Sequence, residues 1–250
     1  EAITPSTRAL ALTWVHSSTG LKLPMPQIAE AVADINRERD EEDQVLICLD
    51  GVHGLGVEDV TVEDLGCDFF MAGCHKWLFG PRGTGVVWAR PADWAELSPL
   101  IPSFIDDGSW NAWARETDPP GPTTAARMSP GGFKPFEHQW AVADAFAFHE
   151  EIGKSRVAGR THALAGGLKE GLAGMPHVRL LTPRTEELSA GIVCFDVEGR
   201  TPDEVVRRLA ERDIVATTTP YAVTYPRLTP SIYNTPDEVE TVLREIRALA

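Results

Sequence analysis

The chain has 250 residues, of which 43% are hydrophobic and 24% are charged, and its formal net charge at pH 7 is −14. This composition is that of a globular protein and excludes the fibrous and disordered classes. The negative charge disfavours nucleic acids and anionic membranes as partners, because their phosphates would repel it. No apolar run approaches the ~18 residues of a membrane span, so we expect no membrane partner.

The cysteines show no paired or C-x-x-C spacing; they are Cys48, Cys67, Cys74 and Cys194. We therefore expect free thiols, no metal site and a cytoplasmic protein. The chain opens with Glu1 rather than Met and enters a predicted strand within a few residues. This abrupt start leads us to expect that an N-terminal part of the domain is absent.

Short apolar runs predict the strands of the N-terminal half, at residues 8–15, 45–49, 68–72 and 85–89. A helix is predicted from Pro26, since proline suits the first helical position, and a shorter one over residues 57–65. Strands that alternate with helices are typical of a parallel α/β sheet, whose ligands bind beyond the carboxyl ends of the strands. Four polar residues follow strands at this edge: Ser17, Asp50, His53 and Lys76.

The C-terminal half is predicted to follow an irregular segment at residues 91–135, and long irregular segments in compact domains are usually functional or interfacial. Further elements are predicted as helices at 136–152, 155–172, 202–211 and 236–249 and as strands at 178–181, 192–197 and 214–216. Asn234 or Thr235 is the predicted N-cap of the last helix. We place one domain at residues 1–153 and a smaller α/β domain at 154–250.

Asp50 and Lys76 are the pair on which the functional prediction depends. Each follows an apolar run, so a carboxylate and an amine are expected at one edge of the sheet. Taken singly, Asp50 could bind a metal or a nucleotide, and Lys76 could be a surface lysine. Together they suit pyridoxal phosphate (PLP). Its aldehyde forms a Schiff base with an amine, and a carboxylate keeps its pyridine nitrogen protonated.

Three segments resemble the class V aminotransferase family of fold-type I PLP enzymes: Asp50-Gly51-Val52-His53, Gly73-Cys74-His75-Lys76-Trp77 and Tyr233-Asn234-Thr235. Residues 130–138 are similar to the isopenicillin-N-epimerase-like branch, which also contains carbon–sulfur lyases. The resemblance covers nearly the whole chain. It implies an α/β fold with a mainly parallel sheet flanked by helices and a smaller C-terminal α/β domain.

The resemblance also implies roles for residues of the first two segments. Lys76 would form the Schiff base and later shuttle the Cα proton, while Asp50 would pair with the pyridine nitrogen. His53 would hydrogen-bond the phenolic oxygen of the cofactor, and His75 would reach its phosphate. Each histidine could instead be an ordinary packing residue.

Further roles follow for residues elsewhere in the chain. Ser17 stands where many relatives carry an asparagine near the phenolic oxygen, and Ser18 is an alternative. Arg227 matches the arginine that binds the α-carboxylate of the substrate with two charge-assisted bonds, although it could be a surface arginine. Gly132, with Gly131, would offer backbone N–H groups to the cofactor phosphate of a neighbouring subunit, which implies a homodimer; the glycines could also simply form a turn.

The predicted function is a PLP-dependent enzyme that acts at Cα or Cβ of an amino-acid substrate as an epimerase, C–S lyase or aminotransferase. Cysteine desulfurase is disfavoured because Cys194 lies in a predicted core strand, and Cys74 is expected to be structural. The alternative is a non-catalytic or degenerate homologue that acts by association, since the family's ring-stacking residue and phosphate loop lie upstream of this chain. A nucleotide-binding enzyme ranks last, because no G-x-G-x-x-G or P-loop follows a strand.

Overall fold

A computed structural model describes residues 2–132 and 134–250. Within these residues the strands form two four-stranded sheets. The first sheet contains β1 (Ala9–Thr13), β2 (Leu46–Asp50), β3 (Phe69–Gly73) and β4 (Gly85–Ala89). The second contains β5 (Val178–Leu180), β6 (Val193–Val197), β7 (Thr217–Thr218) and β8 (Pro226–Leu228) in the order β5-β6-β8-β7.

The first sheet has the order β1-β2-β3-β4, in which β1, β2 and β3 are parallel neighbours. The predicted parallel α/β sheet is therefore confirmed for these strands. β4 runs antiparallel to β3. The connection between them, residues 74–84, contains no helix, and a parallel return would need a crossover of roughly a dozen residues or more.

The helices lie between and after the strands, and none of those described is both long and apolar enough to cross a membrane. They are α1 (Met25–Asn36), α2 (Pro91–Trp94), α3 (Asp107–Ala114), α4 (Ala125–Met128), α5 (Phe136–Trp140), α6 (Val142–Ile152), α7 (Lys154–Ala173), α8 (Pro202–Ala210) and α9 (Pro236–Arg247). α9 begins with a capping box in which Thr235 and Glu238 satisfy each other's backbone N–H groups. Thr235, rather than Asn234, is thus the N-cap.

The segment predicted to be irregular, residues 91–135, contains the short helices α2, α3 and α4, and two predicted elements are wrong. Residues 57–65 form no α-helix but a loop with one 3₁₀ turn at Glu63–Leu65. Their β-branched residues are poor helix formers, and the loop conformation already buries the side chains of Val57 and Leu65 in the core. Residues 214–216 form no strand; Ile214 packs against the second core from a loop, and the strand begins at Thr217.

The two largest hydrophobic cores among the described residues hold most of these elements together. In the first, Met25 and Val32 of α1 pack against Ile47, Leu49 and Phe70 of the first sheet. In the second, Leu168 and Leu172 of α7 and Leu243 of α9 pack against Phe195 of the second sheet. Each fully buried apolar side chain contributes about 1.5–3 kcal/mol. The first core holds the sheet whose carboxyl edge carries the candidate site.

Candidate active site

Asp50 marks the edge of the first sheet at which the candidate residues meet. In the strand register it pairs with Thr13 of β1 and with Met71 of β3. Its carbonyl accepts a hydrogen bond from Trp14 N at 2.9 Å, and its Oδ1 accepts one from Val52 N at 3.0 Å. The carboxylate is exposed and held beyond the carboxyl end of β2, where a bound molecule could meet it.

Lys76 and His53 are in direct contact at this edge. Lys76 Nζ lies 3.1 Å from Nε2 of His53, and the indole Nε1–H of Trp77 donates to Nδ1 of the same ring at 3.2 Å. Lys76 and Trp77 follow β3, whereas His53 comes from the loop after β2. Adjacent loops of neighbouring parallel strands thus bring an amine and an imidazole together.

The hydrogen bonds of His53 fix its protonation state. Burial, followed by the positive charges of Lys76 and Arg227, lowers the pKa of His53 to about 3, so the ring is neutral near pH 7. Because an indole only donates, Nδ1 must accept and the single proton must lie on Nε2. Lys76 Nζ, 3.1 Å from this nitrogen, can accept the Nε2–H hydrogen bond only in its free-amine form.

The pKa of Lys76 is lowered, which agrees with a free amine at this position. Burial of the amine is the largest cause, the charge of Arg227 adds to it, and Asp50 opposes it by favouring the ammonium form. Although the lysine residue as a whole is exposed, its Nζ is held against His53 by the 3.1 Å contact. A free amine is the form that attacks a carbonyl carbon.

Arg227 comes from β8 of the second sheet and reaches the same edge. Its Nη1 donates to the backbone oxygen of Ser17 at 3.2 Å, and its Nε donates to Oγ1 of Thr217 at 3.2 Å. Among residues 2–132 and 134–250 it forms no ion pair with a carboxylate. An arginine with a charge that no acidic side chain balances is suited to bind a carboxylate ligand.

Ser17 lies at this edge as predicted from the sequence, but its hydroxyl already has a protein partner. Ser17 Oγ is 3.0 Å from the hydroxyl of Tyr221, while Ser18 Oγ bonds Nδ1 of His16 at 2.8 Å. The His16 and Tyr221 rings are stacked, with centroids 5.2 Å apart. Sequence analysis missed both rings: His16 directly follows the first strand, a usable signal, whereas Tyr221 lies in a loop with no pattern.

His75 and Gly132 are not joined to this cluster by hydrogen bonds in the part of the chain that is described. His75 is exposed, and its ring lies over Gly73, where an added Cβ would stand 3.1 Å from the imidazole. Gly132 has a φ of +113°, a conformation that favours glycine. Phe133, which follows it in the Pro-Gly-Gly-Phe segment, lies outside the described residues.

Buried thiols are the remaining nucleophiles near the site. Burial raises the pKa of the Cys194 thiol to about 12, against smaller lowering effects of Arg227 and Thr182. Burial likewise raises the pKa of Cys74, which a hydrogen bond from Thr84 lowers in part. Thiols held protonated in this way are poor nucleophiles.

The family model for class-V aminotransferases matches residues 1–242 of this chain. The chain belongs to the class-V aminotransferase family. Isopenicillin N epimerase from Streptomyces clavuligerus is 30% identical over 258 residues, which cover 99% of this chain and 62% of that protein. The chain thus spans about 60% of the length of the relatives it matches.

Solved structures of the same fold include the apo cysteine desulfurase from Thermococcus onnurineus NA1, with a TM-score of 0.81, 22% identity and coverage of 97% of this chain and 60% of that one. The cystine C–S lyase C-DES, in complex with its product cysteine persulfide, also has a TM-score of 0.81, with 21% identity over 98% of this chain and 62% of that one. The predicted fold-type I architecture is confirmed, and the class V family is PLP-dependent.

Proposed function

We propose that the protein is a PLP-dependent enzyme that acts at Cα or Cβ of an amino-acid substrate. The observation that carries the proposal is the amine of Lys76, which faces Nε2–H of a neutral His53 at 3.1 Å and whose pKa is lowered. A lowered pKa favours the free amine, the form that binds the aldehyde of PLP, and the residue is exposed. Asp50, which acts electrostatically on Lys76, is the carboxylate that would face the pyridine nitrogen.

Each polar group at the edge has a role that follows from its chemistry. When bound, PLP supplies an electron sink that stabilises negative charge at Cα. Lys76 would then move the Cα proton, and the Asp50 carboxylate would keep the ring nitrogen protonated. His53, with its proton on Nε2, donates to the phenolic oxygen. Arg227, which has no acidic partner in the described residues, binds the α-carboxylate of the substrate.

Three further residues belong to the proposal. The hydroxyl of Ser17, in the loop after β1, would supplement His53 at the phenolic oxygen. His75 is exposed and precedes Lys76, so its ring is available for the phosphate. Gly132 would offer its backbone N–H to the phosphate of the neighbouring subunit, since a glycine adopts its positive φ readily and has no side chain to obstruct the peptide.

The reaction we propose begins with removal of the Cα proton, as an epimerase or C–S lyase requires. Similarity to an isopenicillin N epimerase over nearly the whole chain supports this branch over a plain aminotransferase. The raised pKa values of Cys74 and Cys194 argue against a cysteine nucleophile from this chain. The alternative, a non-catalytic homologue, gains no support, because Lys76 contacts His53 and Asp50 acts electrostatically on the same amine.

We also propose a cytoplasmic homodimer with domains at residues 1–153 and 154–250. Free cysteines in the described residues support the location. Exposed apolar side chains in and after the irregular segment support self-association, and they include Leu100, Ile105, Trp113 and Trp140. The two sheets and their separate cores support the division into domains. Sedimentation of the purified protein tests the dimer.

The decisive experiment is PLP binding by the longest natural form of the protein. We expect visible absorbance from bound cofactor in the wild type, loss of it in Lys76→Ala, and retention in Lys154→Ala, which removes an exposed lysine outside the cluster. A protein that stays colourless with excess PLP would overturn the proposal. Racemisation of labelled amino acids, compared with pyruvate release from S-substituted cysteines, then distinguishes the epimerase from the lyase.

A further inference from the structure

Tyr221 and Arg227 lie on the same hairpin and contact the same residue of the first sheet's edge. β7 and β8 pair Thr217 with Arg227, and the intervening turn is closed by hydrogen bonds between Thr219 and Tyr225 at 3.0 Å. Tyr221 lies near the tip of this hairpin and Arg227 at its base. A contact between the tip of the hairpin and the first sheet therefore influences the position of Arg227.

Ser17 is held from both ends of that hairpin. Its hydroxyl meets the Tyr221 hydroxyl at 3.0 Å, and its carbonyl accepts from Nη1 of Arg227 at 3.2 Å. The Tyr221 ring also stacks on His16, with an interplanar angle of 23°. Ser17 itself is buried, so the tyrosine, which is 48% exposed, covers it from the solvent side.

The guanidinium of Arg227 is left with free donors by this arrangement. A guanidinium has five N–H groups in a planar fork, and here Thr217 and Ser17 each engage one. The remaining donors, on Nη1 and Nη2, are enough for a two-bond grip on a carboxylate. The direction of that fork depends on the position of the Ser17 carbonyl.

We propose that Tyr221 is a positioning residue for the recognition of a substrate α-carboxylate: its hydroxyl bond to Ser17 and its stacking on His16 hold the Ser17 carbonyl that aims Arg227. This inference rests on the proposed function and deepens it. Tyr221 acts through Ser17 and Arg227 and needs no contact with the substrate. The effect of Tyr221 is therefore confined to ligands that carry the carboxylate.

The test compares two ligands of the PLP-loaded protein, alanine and ethylamine, which differ at Cα by the carboxylate. Their dissociation constants are read from the change in absorbance of the bound cofactor, so turnover is not needed. In Tyr221→Phe, which keeps the ring and its stacking, we expect the constant for alanine to rise about 5-fold, as for loss of one hydrogen bond. The constant for ethylamine stays unchanged.

Double substitution shows whether Tyr221 acts through the arginine. In Arg227→Gln we expect alanine binding to weaken towards that of ethylamine, and adding Tyr221→Phe should then have no further effect. The matched control is Tyr225→Phe, whose hydroxyl has no hydrogen bond within the described residues and whose loss should leave both constants unchanged.

Each other outcome overturns a defined part of this inference. If Tyr221→Phe weakens both ligands equally, or still weakens alanine binding in the Arg227→Gln background, Tyr221 does not act through Arg227. If Arg227→Gln weakens alanine binding but Tyr221→Phe does not, the positioning role is wrong and the proposed function stands. A wild-type protein that binds no PLP would overturn the proposed function, and this inference with it.

Discussion

Trp77 donates its indole N–H to Nδ1 of His53 at 3.2 Å, while Lys76, its neighbour in the chain, meets the opposite nitrogen of the same ring at 3.1 Å. One turn after β3 thus controls both ends of an imidazole that belongs to the loop after β2. The tryptophan fixes which nitrogen carries the proton. With that tautomer, Lys76 can accept the hydrogen bond from Nε2–H only as a free amine, which its lowered pKa favours.

Replacing Trp77 by phenylalanine should remove the hydrogen bond that fixes the tautomer of His53. We expect ¹⁵N NMR of the imidazole to show a protonated Nε2 and an accepting Nδ1 in the wild type, and a mixture of tautomers in Trp77→Phe. Activity should fall about 5-fold, as for loss of one hydrogen bond. The control is Trp88→Phe, which replaces a half-buried tryptophan of β4 that has no side-chain hydrogen bond in the described residues. An unchanged ¹⁵N spectrum in Trp77→Phe would contradict the assignment.

Charges around Lys76 should move its pKa in opposite directions. Arg227 lowers that pKa and Asp50 raises it, so Arg227→Gln should move the pKa upward and Asp50→Asn should move it further down. The pH dependence of amine labelling in the protein freed of PLP, followed by peptide mass spectrometry, gives the midpoint for Lys76. Lys154 in the same digest reports changes in the reagent. Shifts of the same sign in both variants would show that the two charges do not act on this amine.

Cys194 should be dispensable for the reaction. Because burial raises the pKa of its thiol to about 12, iodoacetamide at pH 8 should label it only after unfolding in guanidinium. Cys194→Ala should keep activity within about 2-fold and lower the free energy of unfolding by about 1 kcal/mol, a typical cost for one substitution. Complete loss of activity in a folded Cys194→Ala protein would instead point to a persulfide carried by this cysteine.

The edge of the sheet that carries the site was predictable because the signals for it are local. Apolar runs followed by Asp50 and by Lys76 mark the ends of neighbouring strands, and the parallel register brings those ends together. The direction of β4 was not predictable from its own residues. It follows from the short connection at residues 74–84. The pattern of apolar residues within a strand does not indicate the length or path of the connection before it.

The contribution of the second sheet to the site could be predicted only in part. Arg227 was found through its position before Tyr233-Asn234-Thr235, but the β7–β8 hairpin that aims it has no apolar alternation, since β7 is Thr217–Thr218. Tyr221 and His16 adjoin although they are separated by most of the chain. Such a contact depends on tertiary packing, which the order of residue types along the chain does not specify.

Because of Glu58, the stability of the protein should depend on pH in the range below the ordinary pKa of a glutamate. Its side chain is only 7% exposed and is bound by Lys22 at 2.6 Å and approached by His162 at 2.9 Å. Burial alone would raise the pKa of Glu58, but the nearby His162 and Lys22 outweigh burial and lower it below 4.5. A carboxylate whose pKa is lower in the folded state stabilises the fold above its unfolded pKa.

That stabilisation is therefore full above about pH 4.5 and lost as the pH falls through the folded pKa of Glu58. Glu58→Gln should lower the free energy of unfolding by about 2–3 kcal/mol at pH 7, since it removes the buried charged partner of Lys22, whose side chain is 13% exposed. The difference from the wild type should shrink on acidification below pH 4.5, as the wild-type carboxyl also becomes neutral. Urea unfolding across a pH series measures this, with Glu187→Gln, at an exposed glutamate, as the control. A difference that stays constant from pH 7 to pH 3 would show that Glu58 stabilises the fold by packing rather than by charge.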